Sequence, residues 1–571
     1  MAGLTSPAPA IIILGSGALA TARRIQAALP ASRVHGLRAR TEGQADVAFE
    51  RTGQHLQELY KCGTPIVALC AAGIVIRCVA PMLADKGLEP PIVAVAQDAS
   101  AVVPLLGGTA GVNALARQIA QALGVAPAIT TSGELRFGTC LLDPPEGYVL
   151  ADIEQGKHFV SDLLAGQRVR LEGHAPWLDD ADIPQAASAR LAIRVTPFAS
   201  DRHRDELLIH PRSVVAGLGG AAGAEHVLEA LADHELSPLS LALLLAPAAN
   251  MGDPRIARVA DTLGVPLRFA DHEAQEPAQW LLAAPDLAHD VRVHENGVAL
   301  ALAPHPVIPE RIGRARGRLT VVGLGPGSAG LMVPDARKAL DEASDILGYE
   351  TYIRMAGPLR ADQRQHASDN REELQRARHA FELASEGRRV VVVSSGDPGI
   401  FAMAAAVLEA LDTDGHARWR QVDLRIVPGV SAAMATAAQA GAPLGHDFCM
   451  LSLSDNLKPW HIIRERLQHA AQADLVMAFY NPISRARPWQ LDHALDIVRN
   501  WRTPATPVVL GRDIGRPGAK LTTTTLGELR SDQVDMRTVV IVGSSTTRGV
   551  QGGPQGEWIY TPRWYAAPDP G

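Results

Sequence analysis

The sequence predicts an α/β protein with several domains. Short apolar runs with strand character alternate with helical patterns along the whole chain, and this alternation is typical of largely parallel sheets covered by helices. Several of the runs end in glycine-rich turns that lead into a helix. The chain has 571 residues, more than one compact domain usually contains. We therefore expect separate α/β domains along one chain.

The apolar runs and the linkers between them suggest how the domains are divided. Strand candidates lie at 10–14, 64–70, 90–96, 389–394, 474–480, 506–511 and 537–543. The stretch 303–317 combines prolines with clustered arginines, which suits no buried element. We predict an N-terminal domain at 1–130, a connector region at 131–204, a second domain at 205–305, a linker at 306–317 and a third domain at 318–564.

Composition argues against several classes of function. The net charge of -7 offers no basic footprint, so we expect neither nucleic acid nor an anionic membrane as a partner. The five cysteines form no CxxC pair, so we expect neither a structural zinc site nor a disulfide framework. The first residues lack a basic segment typical of secretory signals, and no apolar run is long enough to span a bilayer. We expect a cytoplasmic protein.

The glycine turn of the third domain follows an apolar strand, in the sequence "RLTVVGLGPGS". Gly323 and Gly325 fit the first two positions of a dinucleotide-binding turn, but Ser328 fits the third poorly. Pro326 has no N–H to donate to a phosphate, and no lysine ends the loop as a phosphate loop requires. The turn is therefore a poor phosphate cradle. A tight turn without a ligand stays open as the alternative.

Four more segments follow in order within the same domain. They are "SSGDPGIF" at 394–401, "IVPGVSAA" at 426–433, "LSLSD" at 451–455 and "AFYNPISR" at 478–485. The first two follow strand-like runs, and the carboxyl ends of strands form the edge at which open α/β sheets bind ligands. A single such segment is weak evidence, but five in order are a specific signal of a ligand site.

That order of segments resembles the tetrapyrrole (corrin/porphyrin) methyltransferase family, which uses S-adenosylmethionine (SAM). "LSLSD" and "AFYNPISR" look more narrowly like its ring-contracting, C-17-methylating branch, and the resemblance covers the whole third domain. It implies a two-lobed methylase fold with SAM between the lobes. The cofactor-binding residues that it implies are Gly323, Gly325, Pro326, Gly327, Ser395, Gly396, Asp397, Ile400, Phe401, Ser431, Ala432, Ala433, Tyr480, Asn481, Thr524 and Thr525. Val333 and Ser328 depart from the pattern of many family members.

Ring contraction needs proton transfer, so a general acid or base is expected near the macrocycle. The candidate catalytic residues are Asp455, His446 and Arg485, with His461 as a further candidate. An N-terminal cap of the following helix is the alternative for Asp455, and surface or packing roles are the alternatives for the histidines. Arg485 and Arg487 suit the carboxylates of a precorrin, although solvated arginines are equally compatible with the pattern.

The N-terminal turn offers a second candidate cofactor site. Gly15, Gly17 and Ala20 match the spacing of a dinucleotide-binding turn, and Arg38 and Arg40 lie where an NADP 2′-phosphate would be met. By spacing alone this pattern predicts NADP binding.

The longer pattern of the N-terminal half favours a different reading. Residues 71–131 and 210–269 resemble the cobalt-precorrin-5A hydrolase family. Thr109 and Ala110 stand where that family has two histidines, and Met251 and Gly252 remove a lysine. Because Thr and Ala cannot shuttle protons near neutral pH, we predict that this half is a degenerate hydrolase.

The resemblances together imply an enzyme of cobalamin biosynthesis. It would methylate precorrin-3B at C-17 with contraction of the ring to precorrin-4, using SAM as co-substrate and no metal. By analogy with the family we expect a homodimer. The alternatives are a bifunctional enzyme that acts on cobalt-containing precorrins, an NADP-dependent oxidoreductase, and a non-catalytic corrinoid-binding protein.

Overall fold

We analysed a computed structural model of the chain. The residues that it describes are 7–29, 31–41, 43–83, 89–201, 203–220, 222–270, 276–284, 287, 290–294, 296–360, 362–369, 372–484, 487–552 and 556–565. The chain divides into two compact units, Met1–Arg316 and Gly317–Gly571. Among the described residues, the first unit holds three sheets and the second holds two large sheets and one small sheet. The predicted multi-domain α/β class is confirmed.

The first sheet of the N-terminal unit has six strands in the order β3-β2-β1-β4-β5-β6. Only β6 is antiparallel to its neighbour. The strands are β1 Ala10–Ile13, β2 Arg33–Leu37, β3 Val47–Phe49, β4 Ile66–Leu69, β5 Ile92–Val95 and β6 Val102–Leu106. The helices are α1 Leu19–Ala28, α2 Arg38–Thr41, α3 Thr52–Lys61, α4 Ala72–Val79, α5 Val112–Leu123 and α6 Ser132–Phe137. This strand order is that of dinucleotide-binding folds.

The region predicted as a connector forms a sheet of its own, in the order β7-β10-β9-β8. Its elements are β7 Tyr148–Leu150, α7 Ile153–Leu164, β8 Val169–Glu172, α8 Pro176–Asp179, β9 Leu191–Val195 and β10 Glu206–Pro211. Buried side chains from 137 to 209, among them Phe159 and Ile193, form one hydrophobic cluster around it. A segment with its own core is more than an irregular connector.

The third sheet of this unit has the order β13-β12-β11-β15-β14. Its elements are β11 Val214–Leu218, α9 Ala224–Asp233, β12 Leu241–Pro247, α10 Pro254–Leu263, β13 Leu267–Ala270, α11 Pro277–Leu282, β14 Asp290–Val293 and β15 Val298–Leu302. The segment predicted as a linker packs on this sheet, because Arg314 exchanges two 2.9 Å backbone hydrogen bonds with Phe269 and Ile312 is buried. The prediction missed Ile312, whose burial outweighs the surrounding prolines and arginines.

The C-terminal unit begins with an all-parallel sheet in the order β18-β17-β19-β16-β20. Its elements are β16 Arg318–Gly323, α12 Pro334–Glu342, β17 Asp345–Tyr349, α13 Glu350–Ala356, β18 Arg364–Ser368, α14 Glu373–Ser385, β19 Arg389–Ser394, α15 Met403–Asp414, α16 Ala417–Arg420 and β20 Asp423–Val427. The four consecutive valines of β19 are all buried, as both faces of a central parallel strand require.

The second large sheet of this unit is mixed, in the order β22-β23-β26-β24-β25, and a small sheet has the order β21-β28-β27. The elements are α17 Ala432–Ala440, β21 Gly441–Ala442, β22 Phe448–Ser452, α18 Trp460–Gln472, β23 Val476–Tyr480, α19 Gln490–Arg499, β24 Pro507–Arg512, β25 Lys520–Thr525, β26 Thr538–Val542, β27 Arg548–Gln551 and β28 Glu557–Tyr560. Among the described residues, no helix has the length and apolar character needed to cross a membrane.

Candidate active site

The backbones after three neighbouring strand ends of the parallel sheet approach one another closely at glycine residues. Gly323 ends β16, and a Cβ atom built there would lie 2.5 Å from the carbonyl oxygen of Gly396 and 2.9 Å from the Cα atom of Gly429. Gly325 and Gly396 exchange two backbone hydrogen bonds, at 3.2 and 2.8 Å. Only glycine allows backbones to approach this closely, so the turns after β16, β19 and β20 form one continuous backbone surface.

Asp397 joins two of these turns. Its carboxylate accepts hydrogen bonds from the backbone N–H groups of Gly399 at 2.8 Å and Gly429 at 3.0 Å. Ser431 caps α17 by accepting a 3.2 Å hydrogen bond from the N–H of Met434. The sequence "GDPG" therefore builds a rigid turn in which the acid satisfies backbone donors, and the N-terminus of α17 begins beside it.

An arginine of the second large sheet holds the first glycine turn in place. Arg516, in the loop between β24 and β25, donates to the carbonyl oxygen of Pro326 at 3.0 Å and to Ser395 Oγ at 3.2 Å. Gly327 has a φ of +138°, and a Cβ atom there would lie 2.5 Å from Arg516 Cγ. Sequence reasoning missed Arg516, because a contact between residues so far apart leaves no local signal.

Tyr480, the last residue of β23, faces the N-terminus of α17. We call the region between Tyr480 and the glycine turns the cleft. Its hydroxyl oxygen accepts a 2.9 Å hydrogen bond from the N–H of Ala433, in the first turn of α17. Its ring centroid lies 5.5 Å from that of Phe401, which is half exposed and has a φ of +53°. Burial raises the pKa of Tyr480, so the phenol stays neutral near pH 7. The adjacent Asn481 donates to Ser452 Oγ at 3.1 Å.

Most of the predicted cofactor residues are therefore brought together. Ile400 and Ala432 lie in the same two turns, both half-buried. Thr524 and Thr525 do not join them. Strand pairing puts Thr524 level with Met477, whereas Tyr480 lies at the other end of β23. The two threonines line a separate groove beside β27 and β28. The motif indicated the strand in which the two threonines lie. It did not show which end of that strand lies nearer to Tyr480.

Asp455 is not a helix cap, because α18 begins at Trp460 and Pro459 occupies the cap position. Its carboxylate forms a 2.6 Å ion pair with Arg487, whose guanidinium holds the pKa of Asp455 below its usual range. Arg487 also donates to Asn456 Oδ1 at 2.7 Å. It is therefore engaged by the loop 454–456 and is not a freely solvated arginine.

The other catalytic candidates lie elsewhere. His446 precedes β22 at the end remote from Ser452, and its ring packs 5.5 Å from that of Tyr565. The structure thus separates His446 from the glycine turns. His461 is exposed in the first turn of α18, and Arg485 lies outside the described residues.

The cleft is suited to a cofactor that carries no phosphate. Bare backbone, a tyrosine hydroxyl and half-buried apolar side chains line it, and the nearby Arg516 is already bonded to the turn. Such a surface admits an adenosine and a small cationic centre. A Cβ atom at Gly323 would collide with Gly396 and Gly429, so the turns depend on close backbone approach.

The N-terminal unit offers less chemistry at its two predicted positions. Gly15 and Gly17 have open space around the positions of added Cβ atoms, and Arg38 forms a 3.1 Å ion pair with Glu50. Thr109 is exposed and Ala110 is half-buried in the loop before α5.

Met251 is buried in a hydrophobic cluster of the same unit. Its apolar side chain packs where the hydrolase resemblance would have a lysine, so this position contributes to the core and not to a polar site.

Family profiles match both units. The family described as Tetrapyrrole (Corrin/Porphyrin) Methylases matches residues 318–530, and the family described as Cobalamin synthesis G N-terminal matches residues 54–134. The first match spans the glycine turns after β16, β19 and β20. The second covers part of the sheet β1–β6 and leaves the turn after β1 outside.

Three relatives match part of the chain. The Precorrin-3B C(17)-methyltransferase of Sinorhizobium sp is 52% identical over 250 residues, 44% of this chain and 98% of that protein. Cobalamin biosynthesis protein CobIJ of Mycobacterium tuberculosis is 46% identical over 44% of this chain and 50% of its own length. The chain thus spans half of that relative. A Probable cobalt-factor III C(17)-methyltransferase of Salmonella typhimurium is 40% identical over 43% of this chain and 99% of that protein.

A solved structure also matches. The crystal structure of the methyltransferase CobJ is 49% identical, covers 43% of this chain and 100% of that chain, and gives a TM-score of 0.41.

Proposed function

Because the chain belongs to the tetrapyrrole (corrin/porphyrin) methylases, we propose that it transfers a methyl group from SAM to C-17 of precorrin-3B and contracts the macrocycle to precorrin-4. The observation that carries this proposal is the close backbone approach of Gly323, Gly396 and Gly429 in a unit with this family's segments. The methyltransferase similar to it from Sinorhizobium sp supports the choice of substrate.

The residues of the cleft have distinct proposed roles. The backbone of Gly323–Gly325 and Gly396 would accept the cofactor closely, and Asp397 and Arg516 keep the two turns rigid. SAM supplies an activated methyl group on a sulfonium centre. In-line methyl transfer depends mainly on the positioning of two reactants, so rigid turns are the main contribution of this chain. Tyr480 supports the N-terminus of α17 through Ala433.

Asp455 is a weaker general-base candidate than its position in the sequence suggests. A carboxylate whose pKa is depressed by an arginine binds protons poorly near neutral pH. We propose that the Asp455–Arg487 pair instead orders the loop 454–456 at the substrate side of the cleft.

Isothermal titration of SAM into the full-length protein tests cofactor binding. We expect micromolar affinity in the wild type and loss of binding in Gly396→Arg, since Gly396 lies where the glycine backbones approach closely and has a φ of +69°. Gly415→Arg is the matched control, because Gly415 also has a positive φ but lies at the C-terminal cap of α15. Equal SAM affinity in the two variants would contradict the proposal.

A second candidate function is NADP binding by the N-terminal unit, favoured by the 3-2-1-4-5-6 strand order. NADPH titrated into the same protein distinguishes the two. Heat from NADPH with no heat from SAM would favour the oxidoreductase alternative.

For the N-terminal unit we propose a degenerate hydrolase domain. Thr109 and Ala110 carry no titratable group, and Met251 is committed to the core. Acetaldehyde release from a cobalt-precorrin-5A substrate measures this activity. Robust turnover would instead support the bifunctional alternative.

The cobalt state and the assembly of the protein are further proposals. We propose that the substrate is free of cobalt. Comparison of the reaction rates with precorrin-3B and with cobalt-factor III tests this proposal, because a relative is named for the latter compound. We also propose a homodimer in the cytoplasm, where SAM is made. Sedimentation equilibrium measures the assembly state.

A further inference from the structure

Lys458 lies near Phe401, one of the predicted cofactor-binding residues. Its Nζ atom is 6.0 Å from the centroid of the Phe401 ring, and that ring packs against Tyr480. A cation at this distance over an aromatic face is held in a defined position. The side chain is half-buried.

Two other cations of this region, Arg516 and Arg487, are already engaged in the part of the chain that the structure describes. Arg516 donates to Pro326 and Ser395, and Arg487 pairs with Asp455. Within the described ranges, Lys458 forms neither an ion pair nor a hydrogen bond. Burial, with a smaller contribution from Arg466, lowers the pKa of Lys458, as expected for an ammonium without a counter-charge.

Two exposed apolar residues neighbour Lys458: Leu457 precedes it in sequence, and the Phe401 ring lies within 6.0 Å of its Nζ atom. Leu457 is 93% exposed and Phe401 is 51% exposed. An exposed leucine and phenylalanine next to an uncompensated cation suit a ligand that combines a large flat apolar body with peripheral carboxylates. A precorrin has this chemistry.

We propose that Lys458 is the residue that anchors a peripheral carboxylate of the tetrapyrrole substrate, with Phe401 and Leu457 contacting the macrocycle beside it. This inference rests on the proposed function. It assigns the carboxylate contact to Lys458 and not to Arg487, whose guanidinium is bonded to its own loop.

Steady-state kinetics of three variants tests the assignment. Lys458→Met removes the charge and keeps most of the side-chain volume, whereas Lys458→Arg keeps the charge. Lys338→Met is the matched control, because Lys338 is exposed on α12. We expect Lys458→Met to raise the KM for precorrin-3B about tenfold, a loss of about 1.4 kcal/mol in binding. The KM for SAM should stay within about twofold, as should both constants of Lys338→Met.

The outcomes separate the inference from the function on which it rests. An unchanged KM for precorrin-3B in Lys458→Met would overturn the inference, and so would an equal rise in the KM for SAM or a failure of Lys458→Arg to restore binding. A wild type that does not turn over precorrin-3B would refute the proposed function instead. Fluorescence titration with uroporphyrin III, a polycarboxylate tetrapyrrole, then still tests the anchor. Weaker binding by Lys458→Met than by Lys338→Met supports it, and equal binding overturns it.

Discussion

Substitution of Gly323 by alanine tests the junction of strand ends with the smallest possible change. The added Cβ atom would lie 2.5 Å from Gly396 O, 2.8 Å from Pro398 Cδ and 2.9 Å from Gly429 Cα. Ordinary contacts begin near 3.4 Å, so the shortfall is about 0.5–1 Å on three sides. Two of the three atoms belong to the backbone and the third to a proline ring, so none can rotate away.

The expected energetic and functional effects follow from that shortfall. Overpacking of a rigid site costs about 1–3 kcal/mol. A displacement of about 1 Å at a site that positions two reactants lowers the rate about a hundredfold. We therefore expect Gly323→Ala to unfold at lower temperature, to bind SAM at least about tenfold more weakly, and to lose about two orders of magnitude in kcat/KM.

Calorimetry and a matched glycine make the test decisive. Thermal unfolding and SAM titration are measured for Gly323→Ala and for Gly330→Ala, seven residues further along the same turn. The added Cβ atom at Gly330 would have Ser328 Oγ as its nearest neighbour, at 3.7 Å. The reasoning is refuted if Gly323→Ala matches Gly330→Ala in SAM affinity to within about twofold.

Three further predictions concern the walls of the cleft. Arg516→Met removes two hydrogen bonds to the first turns, so titration should show SAM binding weakened about tenfold, whereas wild-type affinity would mean that the turns are rigid without it. Tyr480→Phe leaves the N–H of Ala433 without its acceptor, which should lower thermal stability by about 1–3 kcal/mol; an unchanged melting temperature would argue against that role. Burial lowers the pKa of Lys458, so its ammonium loses its proton at a lower pH than that of a free lysine. The KM for precorrin-3B should therefore rise on the alkaline side in the wild type, and the rise should vanish in Lys458→Arg, whose guanidinium stays charged; an identical alkaline rise in both would assign the titration to another group.

The local parts of the site could be predicted from the sequence. Glycine turns after strands carry their own signal, because a bare turn followed by a helix restricts the residues that fit. Gly323, Gly396 and Ser431 were therefore found by pattern and order. Their meeting follows from the adjacency of β19, β16 and β20 in one parallel sheet.

The parts that depend on distant contacts could not. Arg516 contacts Pro326 across 190 positions of sequence, and no local pattern encodes that contact. Aspartate is a residue type that often caps helices, but the carboxylate of Asp455 forms an ion pair with Arg487, in the segment after β23. A short polar stretch before a helix does not show whether a carboxylate will cap that helix or form an ion pair with a distant arginine.

Strand direction is the other feature that the sequence does not show. His446 precedes β22 and Thr524 lies in β25, both in the second large sheet, and strand pairing puts each at the end remote from Tyr480. A residue's distance along a strand is visible in the sequence, whereas the end of the sheet that faces the cofactor depends on strand direction. The mixed order of this sheet, with β24 and β25 antiparallel, hides that direction from the pattern.

The most direct test of the proposed activity is transfer of a labelled methyl group. The full-length protein is incubated with precorrin-3B and SAM carrying a ¹³C-labelled methyl group, and the tetrapyrrole product is examined by ¹³C NMR. We predict one new enriched methyl resonance, attached to C-17 of a contracted ring, with one equivalent of S-adenosylhomocysteine formed per product. An unlabelled tetrapyrrole, or a label on a carbon other than C-17, would contradict the account.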